Sequence, residues 1–159
     1  LLEAAEAAPR ERTIGRIEGF GMCGDTSGPG RLDPSSVGWS RSFQTALVDA
    51  AVAPGDVDLV VSAACGRAAI DDIEALALRD AGLGAAVTSA PKEIFGDAGS
   101  SSALLGVVQA LWMSREADAD TFGRAVPESR GRSTVRRALV SSFEVGGSYQ
   151  SVVVRAHDA

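Results

Sequence analysis

The sequence predicts an α/β chain in which helices cover a mixed five-stranded sheet, and three observations carry that prediction. Apolar β-branched runs alternate with amphipathic segments from Thr13 to Trp112, the pattern of strands separated by covering helices. Residues 57–64, VDLVVSAA, are apolar without alternation, as in a strand buried on both faces. Two late runs flank Gly146-Gly147 and read as a hairpin, which makes the sheet mixed.

Each element follows in order. Residues 1–8 read as the end of a helix stopped by Pro9. Residues 13–23 suit a long strand through Ile14, Ile17, Phe20 and Met22, with glycines at bends. Residues 24–36, GDTSGPGRLDPSS, carry every loop signal. Asp33 or Ser35 is placed to cap a helix over 37–52, whose Phe43, Ala46, Leu47, Ala50 and Ala51 form an apolar face that ends at Pro54-Gly55. After the strand at 57–64, residues 68–81 form a second amphipathic helix, with Asp71 and Asp72 in its first turn and Gly82 past its end.

The stretch from 87 to 111 organises the chain. A strand over 85–90 ends before Pro91, which cannot donate to a sheet ladder. The small residues from Gly96 to Ser102 offer a helix entry. Leu104, Leu105, Val107, Val108, Leu111 and Trp112 then predict a core helix that is apolar almost all round. A polar segment over 115–133 precedes the two final strands, at 135–143 and 149–156.

Composition removes whole classes of function. The 159 residues are 45% apolar, enough for one ordinary domain, and the formal charge is −6, so there is no electrostatic footprint for nucleic acid or an anionic membrane. No apolar run reaches the roughly 18 residues a membrane helix needs, and a cytoplasmic protein is expected. Cys23 and Cys65 lack metal-ligand spacing and His157 is the sole histidine, so no metal site is expected and the cysteines read as free thiols. The chain opens at Leu1 within a helical pattern and without methionine, which predicts an upstream portion.

Several segments in this order carry a family resemblance. Gly19-Phe20-Gly21-Met22 followed by a loop, the segment from Ala46 to Ala51, the run 57–63, Lys92-Glu93-Ile94-Phe95-Gly96-Asp97 before a small-residue helix entry, and Ser142-Phe143-Glu144-Val145-Gly146-Gly147-Ser148 together resemble the β-ketoacyl-acyl-carrier-protein synthases. The last two segments are similar to the family's Lys-Ser-x-Thr-Gly-His motif and to its Asn-Ser-Phe-Gly-Phe-Gly-Gly-Thr-Asn loop. The resemblance implies the C-terminal half of a thiolase-fold subunit over residues 1–159, with the N-terminal half outside this chain. It further implies no cofactor beyond acyl groups delivered on the phosphopantetheine of an acyl carrier protein, and a dimer or heterodimer with a ketosynthase half or subunit.

The departures from the family matter as much. The resemblance places the family's first histidine on Ala63, or on Ala64 with a gap moved, and its second on Asp97, while Lys92 is retained. Family chemistry uses those imidazoles to stabilise enolate and oxyanion charge. Losing one such donor costs about 2.7–4 kcal/mol of transition-state stabilisation. Pro91-Lys92 and the Asp71-x-x-Glu74 spacing resemble the chain-length factors of type II polyketide synthases, the inactive partners of ketosynthases. The leading expectation is thus a non-catalytic subunit of a fatty acid or polyketide synthase that shapes an acyl tunnel, with Phe143, Gly146, Gly147 and Ser148 lining the substrate. The alternatives are an acyltransferase or decarboxylase completed by another chain, with Asp97 held protonated in an apolar pocket, and a free-standing binding module. Arg130, Arg132, Arg136 and Arg137 form a basic cluster that reads either as a solvated face or as a docking patch for an acidic carrier protein.

Overall fold

A three-residue strand with no polar side chain has to be covered on both faces, and Leu59–Val61 is the centre of the molecule for that reason. The computed structural model describes residues 2–4, 6–7, 11, 13–28, 30–115, 135–144 and 146–157. Its strands are β1 (Gly15–Gly24), β2 (Leu59–Val61), β3 (Val87–Ser89), β4 (Arg137–Glu144) and β5 (Ser148–Ala156). Its helices are α1 (Val37–Asp49), α2 (Ala68–Asp80), α3 (Lys92–Phe95) and α4 (Ser102–Arg115). The strands form one five-stranded sheet in the order β1-β5-β4-β2-β3. β2 runs parallel to both β3 and β4, while β5 runs antiparallel to β4 and β1. The C-terminal ends of β1, β2, β3 and β4 therefore meet at one edge, together with the β4–β5 turn.

Alternation along β2 divides the core. Val60 joins Trp39, Phe43, Leu47, Ile70, Leu78, Leu139 and Val153 under α1 and α2. Leu59 and Val61 join Val107, Ala110, Met113, Val140 and Val154 under α4. Trp39 is fully buried between Phe143 and Tyr149, with ring centroids 5.2 and 5.3 Å away. Its indole N–H donates to Ser141 Oγ at 3.0 Å, so the large ring is buried without an orphaned donor.

Four details differ from the reading of the sequence. Residues 2–4 and 6–7 form a turn, Ala7 N–H to Ala4 O, and not a helix; Leu2 is exposed, and a short helix without a packing partner is not self-supporting. Gly19 follows a register shift in the β1–β5 pairing after Ile17, as a bend there requires, and both Gly19 and Gly21 are also contact points with α1. A Cβ at Gly21 would lie 2.0 Å from Ser42 O, so glycine here lets α1 rest on the strand. The start of α1 is Ser36, at φ 61° and without a side-chain cap of its own; of the two expected caps, Ser35 Oγ accepts the Val37 N–H at a long 3.5 Å, while Asp33 bonds Ser35 instead of the helix. Finally, α4 is buried only on the face of Gly106, Val107, Gln109, Ala110 and Met113. Leu104, Leu105, Val108 and Trp112 are exposed, as are Ile17, Phe20 and Met22. The register pairs Ile17, Phe20 and Met22 with Val154, Val152 and Gln150, which puts them on the α4 side of the sheet.

Gly21→Ala is expected to push α1 off β1 and lower stability by about 1–3 kcal/mol, read as a reduced urea midpoint. An unchanged midpoint would contradict the close approach.

Candidate functional site

The shared edge gathers most of the residues that the sequence singled out. Ser62 follows β2 directly and donates its N–H to Ser89 O at the end of β3. Ala63 comes next and is buried. Lys92 opens α3, three residues beyond Ser89, and Phe143 lies near the end of β4. Lys92 Nζ stands 5.1 Å from the centre of the Phe143 ring and 3.3 Å from Asp97 Oδ2. The lysine's side chain is only 10% exposed, so its stem is packed and its charge answered by one carboxylate and one ring face.

Asp97 is an ionised carboxylate at this site. The backbone N–H of Gly99 at 2.9 Å, the hydroxyl of Ser102 at 3.0 Å and the nearby Lys92 hold its carboxyl below the usual range. Its side chain is 57% exposed. This overturns the expectation of a protonated Asp97 in an apolar pocket, because charged-form hydrogen bonds outweigh what little desolvation there is.

The loop after β2 is closed from within. Ala63 N–H donates to Glu74 Oε1 at 2.9 Å, Ala64 N–H to Ser62 Oγ at 2.9 Å, and Cys65 and Gly66 N–H to the two oxygens of Asp71 at 3.0 Å each. Ser62 Oγ donates to Glu74 Oε2 at 2.5 Å. Glu74 is almost wholly buried on α2. Burial raises its carboxyl above the ordinary range, against the opposing hydrogen bonds of Ser141, Ser62 and the Ala63 N–H. Trp39, Ser141, Glu74 and Ser62 thereby connect α1, β4, α2 and the end of β2.

A second anchor holds the β4–β5 turn. Asp25 follows β1 and accepts from Tyr149 Oη at 2.5 Å, Ser27 N–H at 2.8 Å and Asp33 N–H at 3.2 Å, while its own N–H donates to Gly147 O at 2.7 Å. The Tyr149 bond, with the two N–H groups, holds the Asp25 carboxyl below the usual range, and burial together with that bond pushes the Tyr149 phenol well up. Gly147 has φ 79°, and a Cβ there would lie 2.2 Å from Asp25 Oδ1. Gly146 is exposed in the turn, Ser148 begins β5, and Glu144 points to solvent.

This arrangement of sheet, loops and turn has known counterparts. The sequence matches the family described as Beta-ketoacyl synthase, C-terminal domain, over residues 14–120. The chain belongs to the β-ketoacyl synthase family. It is 35% identical, over 99% of its own length and 41% of the relative's, to the tetracenomycin polyketide synthase ketoacyl synthase beta subunit of Streptomyces glaucescens. It is 40% identical, over 51% of its length and 19% of the relative's, to a putative polyketide beta-ketoacyl synthase 2 of Streptomyces coelicolor. Among solved structures, the ishigamide ketosynthase/chain length factor superposes with a TM-score of 0.75 at 22% identity, covering 91% of this chain and 38% of that one. A type II polyketide synthase acyl-carrier protein in complex with its hexaketide-bound ketosynthase gives 0.77 at 19% identity, covering 91% and 39%. The fold expected from the sequence is thus the thiolase-like fold observed. The chain spans about two-fifths of the Streptomyces glaucescens relative.

Within this ketosynthase domain, Lys92, Asp97 and Phe143 come together, with Ala63 and the Gly147 turn on the same edge. Arg136 and Arg137 do not join them: they precede and begin β4, at the opposite end of the sheet. Arg130 and Arg132 lie outside the described residues. Among the described residues no helix is long and apolar enough to cross a membrane, and no three potential metal ligands cluster. Asp25 was not singled out from the sequence, although Asp25-x-Ser27 after a strand is an aspartate-turn signal.

The buried Glu74 makes stability depend on pH in a definite direction. Its raised carboxyl contributes stability that is fully present below about pH 4.5, the ordinary carboxyl value, and is lost as pH rises through the folded-state value. The stability difference between wild type and Glu74→Gln, measured by denaturant titration, is expected to be most favourable to wild type near pH 4 and to decline towards pH 8. A difference that grows with pH would contradict this.

Proposed function

We propose that this chain forms the C-terminal half of a chain-length-factor-like subunit of a polyketide synthase, one that shapes an acyl-binding space and does not perform condensation. The observation that carries this reading is the closed loop after β2. All four successive N–H groups, from Ala63 to Gly66, are taken by Glu74, Ser62 and Asp71. An oxyanion needs preorganised donors left free for it, and these are spent. The positions that the motif resemblance gives to histidines carry an alanine methyl and an ionised Asp97. A carboxylate repels developing negative charge, and its partner Lys92 is already engaged with it.

The relatives support the rest. Similarity to a ketoacyl synthase beta subunit favours pairing with a ketosynthase subunit, and acyl groups would arrive on the phosphopantetheine of an acyl carrier protein, with no resident cofactor. Phe143, Gly146, Gly147 and Ser148 would border the acyl chain, with Trp39 packed at a tilt behind Phe143. The exposed apolar face of Ile17, Phe20, Met22, Leu104, Leu105 and Val108 is too large to be left to water and would be covered by the other half of the subunit.

The protein that carries this chain, expressed alone and with a partner ketosynthase, would be assayed for carbon dioxide release from malonyl-carrier protein. No release above background is expected from the protein alone, and chain extension only from the pair. Decarboxylation by the protein alone would overturn the non-catalytic reading.

A further inference from the structure

At the end of the sheet away from Lys92, one carboxylate is shared by three guanidinium groups. Glu18 on β1 contacts Arg16 Nη2 at 3.1 Å, Arg137 Nε at 2.9 Å and Arg155 Nη1 at 3.6 Å. Among the described residues, three guanidinium groups thus meet one carboxylate directly, in a chain whose overall charge is −6. Asp58, the other carboxylate nearby, accepts the backbone N–H groups of Arg136 and Arg137 at 2.9 and 3.0 Å.

The three arginines are not equivalent. Arg137 is half-buried and bonds Glu18 at hydrogen-bond distance. Arg155 is 44% exposed, and its 3.6 Å contact is an ion pair without a hydrogen bond, so its planar fork of donors is not spent on Glu18. Arg16 is 54% exposed and bonds Glu18 through Nε and Nη2. Arg16 and Arg155 face each other across the β1–β5 pairing, and with Ala156 and His157 they line a cavity of about 130 Å³.

We propose that this cavity binds a phosphate-class oxyanion, with Arg155 as the principal ligand and Arg16 completing the cradle, while Glu18 holds both guanidiniums in place. Guanidinium forks match the geometry of phosphate oxygens and bind them through paired, charge-assisted hydrogen bonds. The cavity has room for one such group and is walled by the β-strand backbone at Ala156. From Arg16 to the active edge at Gly24 the strand runs about 25 Å, so this site is separate from the acyl pocket. The oxyanion could be free or carried on a nucleotide, and the two sources share the chemistry recognised here.

Titration calorimetry of the whole protein at low salt, with inorganic pyrophosphate and separately with adenosine diphosphate, tests the site. Saturable binding of pyrophosphate is expected, weakened at least about tenfold by Arg155→Ala and less by Arg155→Lys, with folding checked by circular dichroism. Equal affinities for the two probes would assign the site to the oxyanion alone, and tighter binding of the diphosphate nucleotide would assign it to a nucleotide's phosphates. No saturation by either probe up to about 10 mM, or affinity unchanged in Arg155→Ala, overturns the proposal. Should Arg155→Ala fail to fold, Arg155→Lys is measured in its place, and pyrophosphate affinity unchanged from wild type overturns the proposal.

Discussion

A single buried carboxylate sets the character of the sheet edge where β1, β2, β3 and β4 end. Glu74 is taken out of water on α2, at a cost that only hydrogen bonds can offset, and it collects them from Ser62, Ser141 and the Ala63 N–H. Together the bonds tie the end of β2 and the middle of β4 to α2. The end of β2 is thereby turned inward, and its backbone donors serve the protein's own acceptors. Asp71, one turn earlier on the same helix, does the same for Cys65 and Gly66. A loop held this way has its backbone donors from Ala63 to Gly66 already paired.

The opposite side of the edge is built on the same logic with other residues. Asp25 gathers the Tyr149 hydroxyl and two backbone N–H groups and packs against Gly147, which ties the loop after β1 to the start of β5. Trp39 stacks between Phe143 and Tyr149 and donates to Ser141, which links the two anchors through one buried indole. Lys92 lies over the outer face of Phe143 with Asp97 as its counter-charge. The lysine's positive charge is thus answered in place by a neighbouring carboxylate.

The sheet was legible because β2 is apolar on both faces and because Gly146-Gly147 separates two β-branched runs. The order of elements follows from the same patterns, while the family was read from the resemblance of segments such as Lys92–Asp97 and Ser142–Ser148. What escaped the sequence is contact between elements distant along the chain. Gly21 looks like a bend until α1 is seen resting on it. The helix from Ser102 is apolar on every side, and periodicity alone cannot tell which side its own domain buries. Asp97 reads as a buried acid in the sequence, and its ionised state depends on Gly99, Ser102 and Lys92 arriving together. The three-arginine cluster on Glu18 joins β1, β4 and β5, and only the register of those strands assembles it.

Hydrogen exchange at the Ala63 amide, followed by nuclear magnetic resonance in wild type and in Glu74→Ala, tests the self-satisfied loop most directly. Strong protection in wild type is expected, with loss of at least about tenfold when the carboxylate is removed, a change above that of neighbouring β2 amides. An Ala63 amide that exchanges freely in wild type, or that is equally protected without Glu74, would contradict the view that this edge spends its donors on its own framework.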